Sequence, residues 1–157
     1  MVKYMLSSEL EVAAPAEFVW AVFSSKEVPK LVPKLLPSAF EKVKILEGDG
    51  GLGTVIDLVY PQGHVPLSYK EKIVTVNNQE RLKETQQIEG GYLDMGVTFL
   101  IESFQMIEKD ADSCIIKSTV RYEVPDDLAH NVSHLISADH LLTMAKVGAK
   151  YALSLRQ

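Results

Sequence analysis

Two stretches of the chain set a carboxylate among apolar residues at every-second-residue spacing. In 65–76, Val65, Leu67, Tyr69, Glu71 and Ile73 share one parity, and Ser68, Lys70 and Lys72 the other. In 95–108, Leu100, Glu102, Phe104 and Met106 alternate with Ser103 and Gln105, although Val97, Phe99 and Ile101 make the opposite side apolar too. Strand side chains point alternately to the two faces, so these patterns bring a phenol and two acids to an inward surface. A buried, unpaired carboxylate is costly and is driven toward its neutral form. Such acids are either partnered or kept for proton transfer. Glu71 also lies within Lys70-Glu71-Lys72, the pattern of solvated surface charges, so the residues alone leave both readings open. Lys83 is an available partner, but Arg81, Thr85 and Gln87 share its parity and are polar. Parity does not place it inside.

Three other groups carry less chemistry. Glu47-Gly48-Asp49-Gly50-Gly51-Leu52-Gly53-Thr54 is glycine-rich, but a phosphate loop needs Gly-Lys-Ser/Thr opening a helix. Here Thr54-Val55-Ile56-Asp57-Leu58 continues as a strand, so a hairpin loop is expected. His130 and His134 are four apart without a Glu between them or a third ligand, so no metal site is expected. Cys114 shares its parity with Ile116, Val120 and Tyr122 and reads as a core thiol.

The elements that must position these groups follow from periodicity. A half-buried strand is predicted over 3–13, with Leu6, Ser8, Leu10 and Val12 on one face. Pro15 suits a helix start, and Val19, Val22 and Phe23 recur at helical spacing. Pro29 and Pro33 limit a second helix to a short one within 26–36. Strands follow near 39–46, 53–60, 65–76, 80–89, 95–108 and 112–123, separated by turn signals such as Gly90-Gly91 and Asp110-Ala111-Asp112. A helical turn near Asp126 precedes a long helix capped by Ser137 or Asp139 and running to about residue 155, its buried stripe Leu141, Met144, Ala145, Ala149 and Ala152. The predicted class is α+β: seven antiparallel strands, two short helices after the first, and a long C-terminal helix across the concave face.

The 157 residues suit a single domain, 1–157, and 46% hydrophobic with 24% charged residues is ordinary globular composition. A net charge of −5 argues against sequence-independent nucleic-acid binding. One cysteine, no signal-peptide pattern at the N-terminus and no long apolar run predict a soluble, cytoplasmic protein.

The glycine-rich loop 47–54 resembles that of the Bet v I and class-ten pathogenesis-related proteins. Within that family, Leu36-Pro37-Ser38-Ala39-Phe40-Glu41-Lys42, Tyr69-Lys70-Glu71-Lys72, Arg81-Leu82-Lys83, Asp112-Ser113-Cys114-Ile115-Ile116-Lys117-Ser118 and above all Ile88-Glu89-Gly90-Gly91-Tyr92-Leu93-Asp94-Met95-Gly96-Val97-Thr98 are similar to norcoclaurine synthases. The resemblance implies a helix-grip fold enclosing a cavity for hydrophobic plant metabolites. It further implies a cofactor-independent Pictet–Spengler condensation of dopamine with 4-hydroxyphenylacetaldehyde in benzylisoquinoline alkaloid biosynthesis. The family's catalytic tyrosine, glutamate and lysine fall on Tyr69, Glu71 and Lys83, which turns Lys83 inward, and its active-site aspartate falls on Glu102.

The implied cavity is lined by Phe40, Ile73, Thr85, Gln87, Leu100 and Met144. Four of its positions depart from the family: Ile73 replaces a phenylalanine, Leu100 an aromatic, and Thr85 and Gln87 two apolar residues. The same parts would serve an alkaloid double-bond isomerase of the neopinone type, or a non-catalytic carrier of hydrophobic metabolites. The expected partner is a small aromatic or alkaloid ligand, with no nucleic acid or membrane, and a monomer or homodimer.

Overall fold

The computed structural model describes residues 1–156. The first strand, β1 (Val2–Val12), alternates exposed residues with half-buried ones that pack on β7 (Ser113–Val124), where Leu6 faces Val120 and Leu10 faces Ile116. Pro15 stands at the N-cap of α1 (Ala16–Phe23), which buries Ala16, Val19, Trp20 and Phe23. In α2 (Val28–Leu35), Pro29 occupies the first turn, where its missing N–H has no intrahelical role. The helix is short, as expected within 26–36, and it accommodates Pro33 in its interior. In eight residues this proline removes only one intrahelical donor, and the turn still closes through Leu36 N–H to the Val32 carbonyl (2.8 Å).

Five further strands complete the meander: β2 (Lys42–Glu47), β3 (Val55–Val59), β4 (Ser68–Asn77), β5 (Leu82–Gly90) and β6 (Phe99–Asp110). With β7 and β1 they form one antiparallel sheet in the order β1-β7-β6-β5-β4-β3-β2. The strands at its two edges, β1 and β2, are joined by the α1–α2 segment, which therefore spans the mouth of the curved sheet. The glycine-rich loop joins β2 to β3. Gly50, at φ 100°, passes so close to α1's exit that a Cβ there would lie 1.9 Å from the Lys26 carbonyl oxygen. A Lys26–Asp49 ion pair of 2.8 Å and a Gly50 N–H to Thr54 hydroxyl bond of 2.9 Å complete the contact. The loop ties sheet to helices.

Several expected boundaries move. The strand expected over 65–76 begins at Ser68, because Pro66 has no N–H to give a ladder. Val65 and Leu67 consequently lie outside the sheet, exposed rather than inward. The strand expected from 95 begins at Phe99, since Gly91–Met95 coil into a 3-10 turn closed by Gly96 in the left-handed region at φ 107°. The strand expected from 39 begins at Lys42.

A short helix, α3 (Ala129–Val132), leads to α4 (Asp139–Ser154). Neither Ser137 nor Asp139 caps α4; Ala138 takes that place, and the Ser137 hydroxyl accepts only the Asp139 N–H (3.3 Å). The helix lays Leu141, Ala145, Ala149 and Ala152 into the core against α1, β1 and β7. Among the described residues no helix is long and apolar enough to cross a membrane.

Candidate active site

Between α2, α4 and the strands β3 to β6 lies a cavity of about 300 Å³ with predominantly apolar walls. Such volumes suit small organic ligands held by a few polar groups. Helix α2 contributes Leu31, Val32 and Leu35, and α4 contributes Met144 and Val147. The polar lining comes mainly from the middle of the sheet: Tyr69 and Glu71 on β4, Lys83 and Thr85 on β5, and Glu102 on β6. The ladders bring them together, with Thr85 opposite both Ile73 and Glu102, and Lys83 opposite Phe104.

Lys83 faces inward and is 7% exposed. Two of its polar parity-mates are inward as well, Thr85 lining the cavity and Gln87 buried, whereas Arg81 precedes β5 and pairs with Glu17 at the surface. The Lys83 ammonium donates to the carbonyl of Phe23, the last residue of α1, at 3.0 Å. The carbonyls of a helix's last turn lack intrahelical donors and carry the negative end of its dipole, so this is a natural seat for a cation. Burial nonetheless disfavours the charge, and against the attraction of Glu71 it brings the Lys83 pKa down to about 8.

The Glu71 carboxyl has no hydrogen bond or ion pair among the described residues. Burial, reinforced by the negative charge of Glu102, raises its pKa to about 8 against the opposing pull of Lys83 and His140. The acid and the amine thus titrate in the same range from opposite directions. Burial and the charge of Glu71 also hold the Tyr69 phenol well above its ordinary value, so it stays neutral and able to donate. Tyr69 belongs to an aromatic wall in which Tyr60 lies 5.7 Å from it, 5.2 Å from Phe40 and 3.8 Å from His64, centroid to centroid.

Glu102, expected inward, is buried and meets Nε2 of His140 through Oε2. His140, in the first turn of α4, was not identified from the sequence. A usable signal existed: His140, Thr143, Met144, Val147 and Gly148 line the cavity at helical i, i+3, i+4, i+7 and i+8 spacing, a second stripe beside the core stripe. Tyr60 was missed likewise, though it shares parity with the buried Ile56 and Leu58.

Of the six expected lining residues, Phe40, Ile73, Thr85 and Met144 border the cavity. Gln87 and Leu100 do not. A register shift between Lys70 and Glu71 turns the end of β5 toward the 3-10 turn, where Gln87 Oε1 accepts the Tyr92 N–H at 3.3 Å. Leu100 packs instead with Val97, Val120 and Tyr122 in the core beyond the cavity. Cys114 is fully buried and burial raises its thiol pKa, so it is not a ready nucleophile. Among the described residues no three His, Cys, Asp or Glu side chains are grouped to hold a metal ion.

A model of the pathogenesis-related protein Bet v 1 family matches residues 1–145. The chain belongs to the Bet v 1 family. Among Bet v 1 relatives, S-norcoclaurine synthase 2 of Papaver somniferum is 45% identical over 157 residues, spanning 99% of this chain and 68% of the relative. The chain thus covers about two thirds of that relative's length. A point mutant of norcoclaurine synthase from Thalictrum flavum, solved with a transition-state analogue, superposes with a TM-score of 0.97 at 42% identity, covering 99% of this chain and 98% of that one. The Thalictrum flavum enzyme in complex with dopamine and hydroxybenzaldehyde gives 0.94 at 43% identity, covering 98% and 88%.

Proposed function

We propose that this Bet v 1 protein is a Pictet–Spengler enzyme of the norcoclaurine synthase type, condensing dopamine with 4-hydroxyphenylacetaldehyde to (S)-norcoclaurine in the cytoplasm. The observation that carries the reading is the opposed pair in the apolar cavity: a lysine lowered to about 8 and a glutamate raised to about 8. General acids and bases are most effective when their pKa lies near the working pH. Similarity to enzymes that bind dopamine and an aromatic aldehyde supports the same substrate class.

The positions of these groups in the cavity support the following roles. The dopamine amine adds to the aldehyde carbon, and Glu102 exchanges the protons that convert the adduct to a neutral carbinolamine. Lys83 donates a proton to the departing hydroxyl, which leaves as water while the nitrogen lone pair forms the iminium. Its ammonium also contacts a catechol oxygen. The catechol ring then attacks the iminium carbon, and Glu71 takes the phenolic or ring proton as aromaticity returns. Tyr69 orients the ligand, and the Phe40–Tyr60–Tyr69 wall gives its rings an offset-stacking surface.

Incubation with the two substrates and chiral separation of the product tests the proposal. One enantiomer formed above the buffer rate is expected. Racemate at the buffer rate refutes it.

A further inference from the structure

Two acids, Glu71 and Glu102, share the cavity, yet only one has a partner. Glu102 is 9% exposed and its Oε2 meets His140 Nε2, whereas its Oε1 has no hydrogen-bond partner among the described residues. The imidazole is 51% exposed, so the ring stands between the cavity and bulk water. It is carried on the first turn of α4, while Glu102 lies in the β5–β6 ladder opposite Thr85.

From this geometry we infer that His140 is a positioning residue: its ring holds Glu102 by one carboxyl oxygen and leaves the other free to shuttle a proton within the substrate adduct. This rests on the condensation proposed above. Addition of an amine to an aldehyde gives a C–N bond with a cationic nitrogen and an alkoxide on the same carbon. Glu102 Oε1 takes one N–H proton, the electron pair returning to nitrogen. The same proton then passes to the alkoxide, giving the neutral carbinolamine and restoring the carboxylate. No net proton enters or leaves, and the imidazolium stays intact throughout.

Without a cation at Oε2, two buried carboxylates in one cavity would compete for ionisation, and like charges so placed do not both ionise readily. The pairing distinguishes the two acids, since Glu102 meets His140 directly and Glu71 has no such partner among the described residues. Around the imidazole stand Glu102 on β6, Glu71 on β4 and the Ser137 backbone. Burial works to lower the His140 pKa, but the hydrogen bond and charge of Glu102, with the charge of Glu71, outweigh it and raise the value above that of ordinary histidine. Lys83 on β5 and the tyrosines 60, 69 and 92 complete the titratable groups around Glu71 and Glu102.

Two measurements test the pair. Histidine-selective NMR titration of the unliganded protein should show His140 titrating above the ordinary imidazole value, and falling toward it in Glu102→Gln. A His140 signal at the ordinary position, or one unmoved by Glu102→Gln, overturns the inference whatever the activity. In kinetics, His140→Phe should lower kcat about 10- to 100-fold with KM little changed. His140→Arg, which restores a cation, should recover most of the rate and hold it to higher pH than the wild type. Wild-type kcat and an unaltered pH profile in His140→Phe also overturn it. If the wild-type protein performs no condensation, the functional reading and the shuttle fail together. An upshifted His140 that depends on Glu102 would then still support the ion pair itself.

Discussion

Replacing Glu71 by glutamine should make the protein more stable while making it a poor catalyst. Unfolded, the carboxyl ionises above its ordinary 4.5; folded, it ionises only above about 8. A group whose folded pKa is raised imposes no penalty below the unfolded value and a growing one as pH rises toward the folded value. The window is therefore pH 4.5 to about 8. At pH 7 the protein sits about 2.5 pH units into it, which at about 1.4 kcal/mol each is about 3–4 kcal/mol. Glutamine is close to isosteric with the neutral acid and escapes the penalty, which already counts the opposing pull of Lys83. A gain of about 3–4 kcal/mol at pH 7 follows, or about 6–16 °C in Tm for a chain of this size. Thermal unfolding of both proteins at pH 4.5 and pH 7 is the assay. The curves should nearly coincide at pH 4.5 and separate at pH 7. Equal or lower Tm for Glu71→Gln at pH 7 would mean that water solvates the carboxylate, and the case for a desolvated base would collapse with it.

The remaining expectations concern catalysis and packing. The pH dependence of kcat/KM should be a bell centred near pH 8, because Glu71 is protonated below it and Lys83 deprotonated above it. The limbs belong to the interacting pair rather than to either residue, and a rate flat from pH 6 to 9 would refute this pairing. Lys83→Met should lower kcat about 100- to 10,000-fold while an apolar fluorophore still binds the cavity, as titration can show. Because the Lys83 pKa is depressed from 10.5 to about 8, its burial penalty is absent above 10.5 and full below about 8, so Lys83→Met should also raise Tm at pH 7. Gly148→Ala places a Cβ 2.5 Å from the Phe23 ring and should cost about 1–3 kcal/mol, read as a lower denaturant midpoint with unchanged slope.

Strand parity was the most informative signal in the chain. It placed Tyr69, Glu71 and Ile73 together, and Leu100 with Glu102, from alternation alone, because a strand has only two faces. It failed where burial was polar. Parity left the side of Lys83, Thr85 and Gln87 open, and only their resemblance to a family turned them inward, since an apolar cavity containing charge breaks the hydrophobic alternation that parity relies on. It also failed where pairing ended early: Val65 and Leu67 have inward parity but no ladder beyond Pro66. The helix was harder. A stripe at 3.6 spacing identifies the most apolar face of α4, and His140 lies beside that face, on the side turned to the cavity. Whether a flank of a helix meets solvent or a hollow is decided by the helices opposite it, here α1 and α2.

The cavity holds its ionisable groups in three different ways, and the difference assigns their chemistry. Lys83 rests on the carbonyl end of α1, a fixed partial charge that cannot itself accept a proton for good, so the ammonium keeps its proton available to a substrate oxygen. Glu102 is met by a side chain that can be fully charged, so it can bear its negative charge without taking a proton from the ligand permanently. Glu71 has neither device, and its charge is opposed by burial and by Glu102 together. An unsupported carboxyl of this kind holds a proton more tightly than the other groups allow for an ordinary acid, and so it is suited to the last and most demanding removal, that from the ring. Supporting it would therefore weaken it as a base. A cation introduced beside Glu71, for instance by Ile56→Lys across the β3–β4 ladder, should lower its pKa and slow ring closure even though every proposed catalytic residue remained in place.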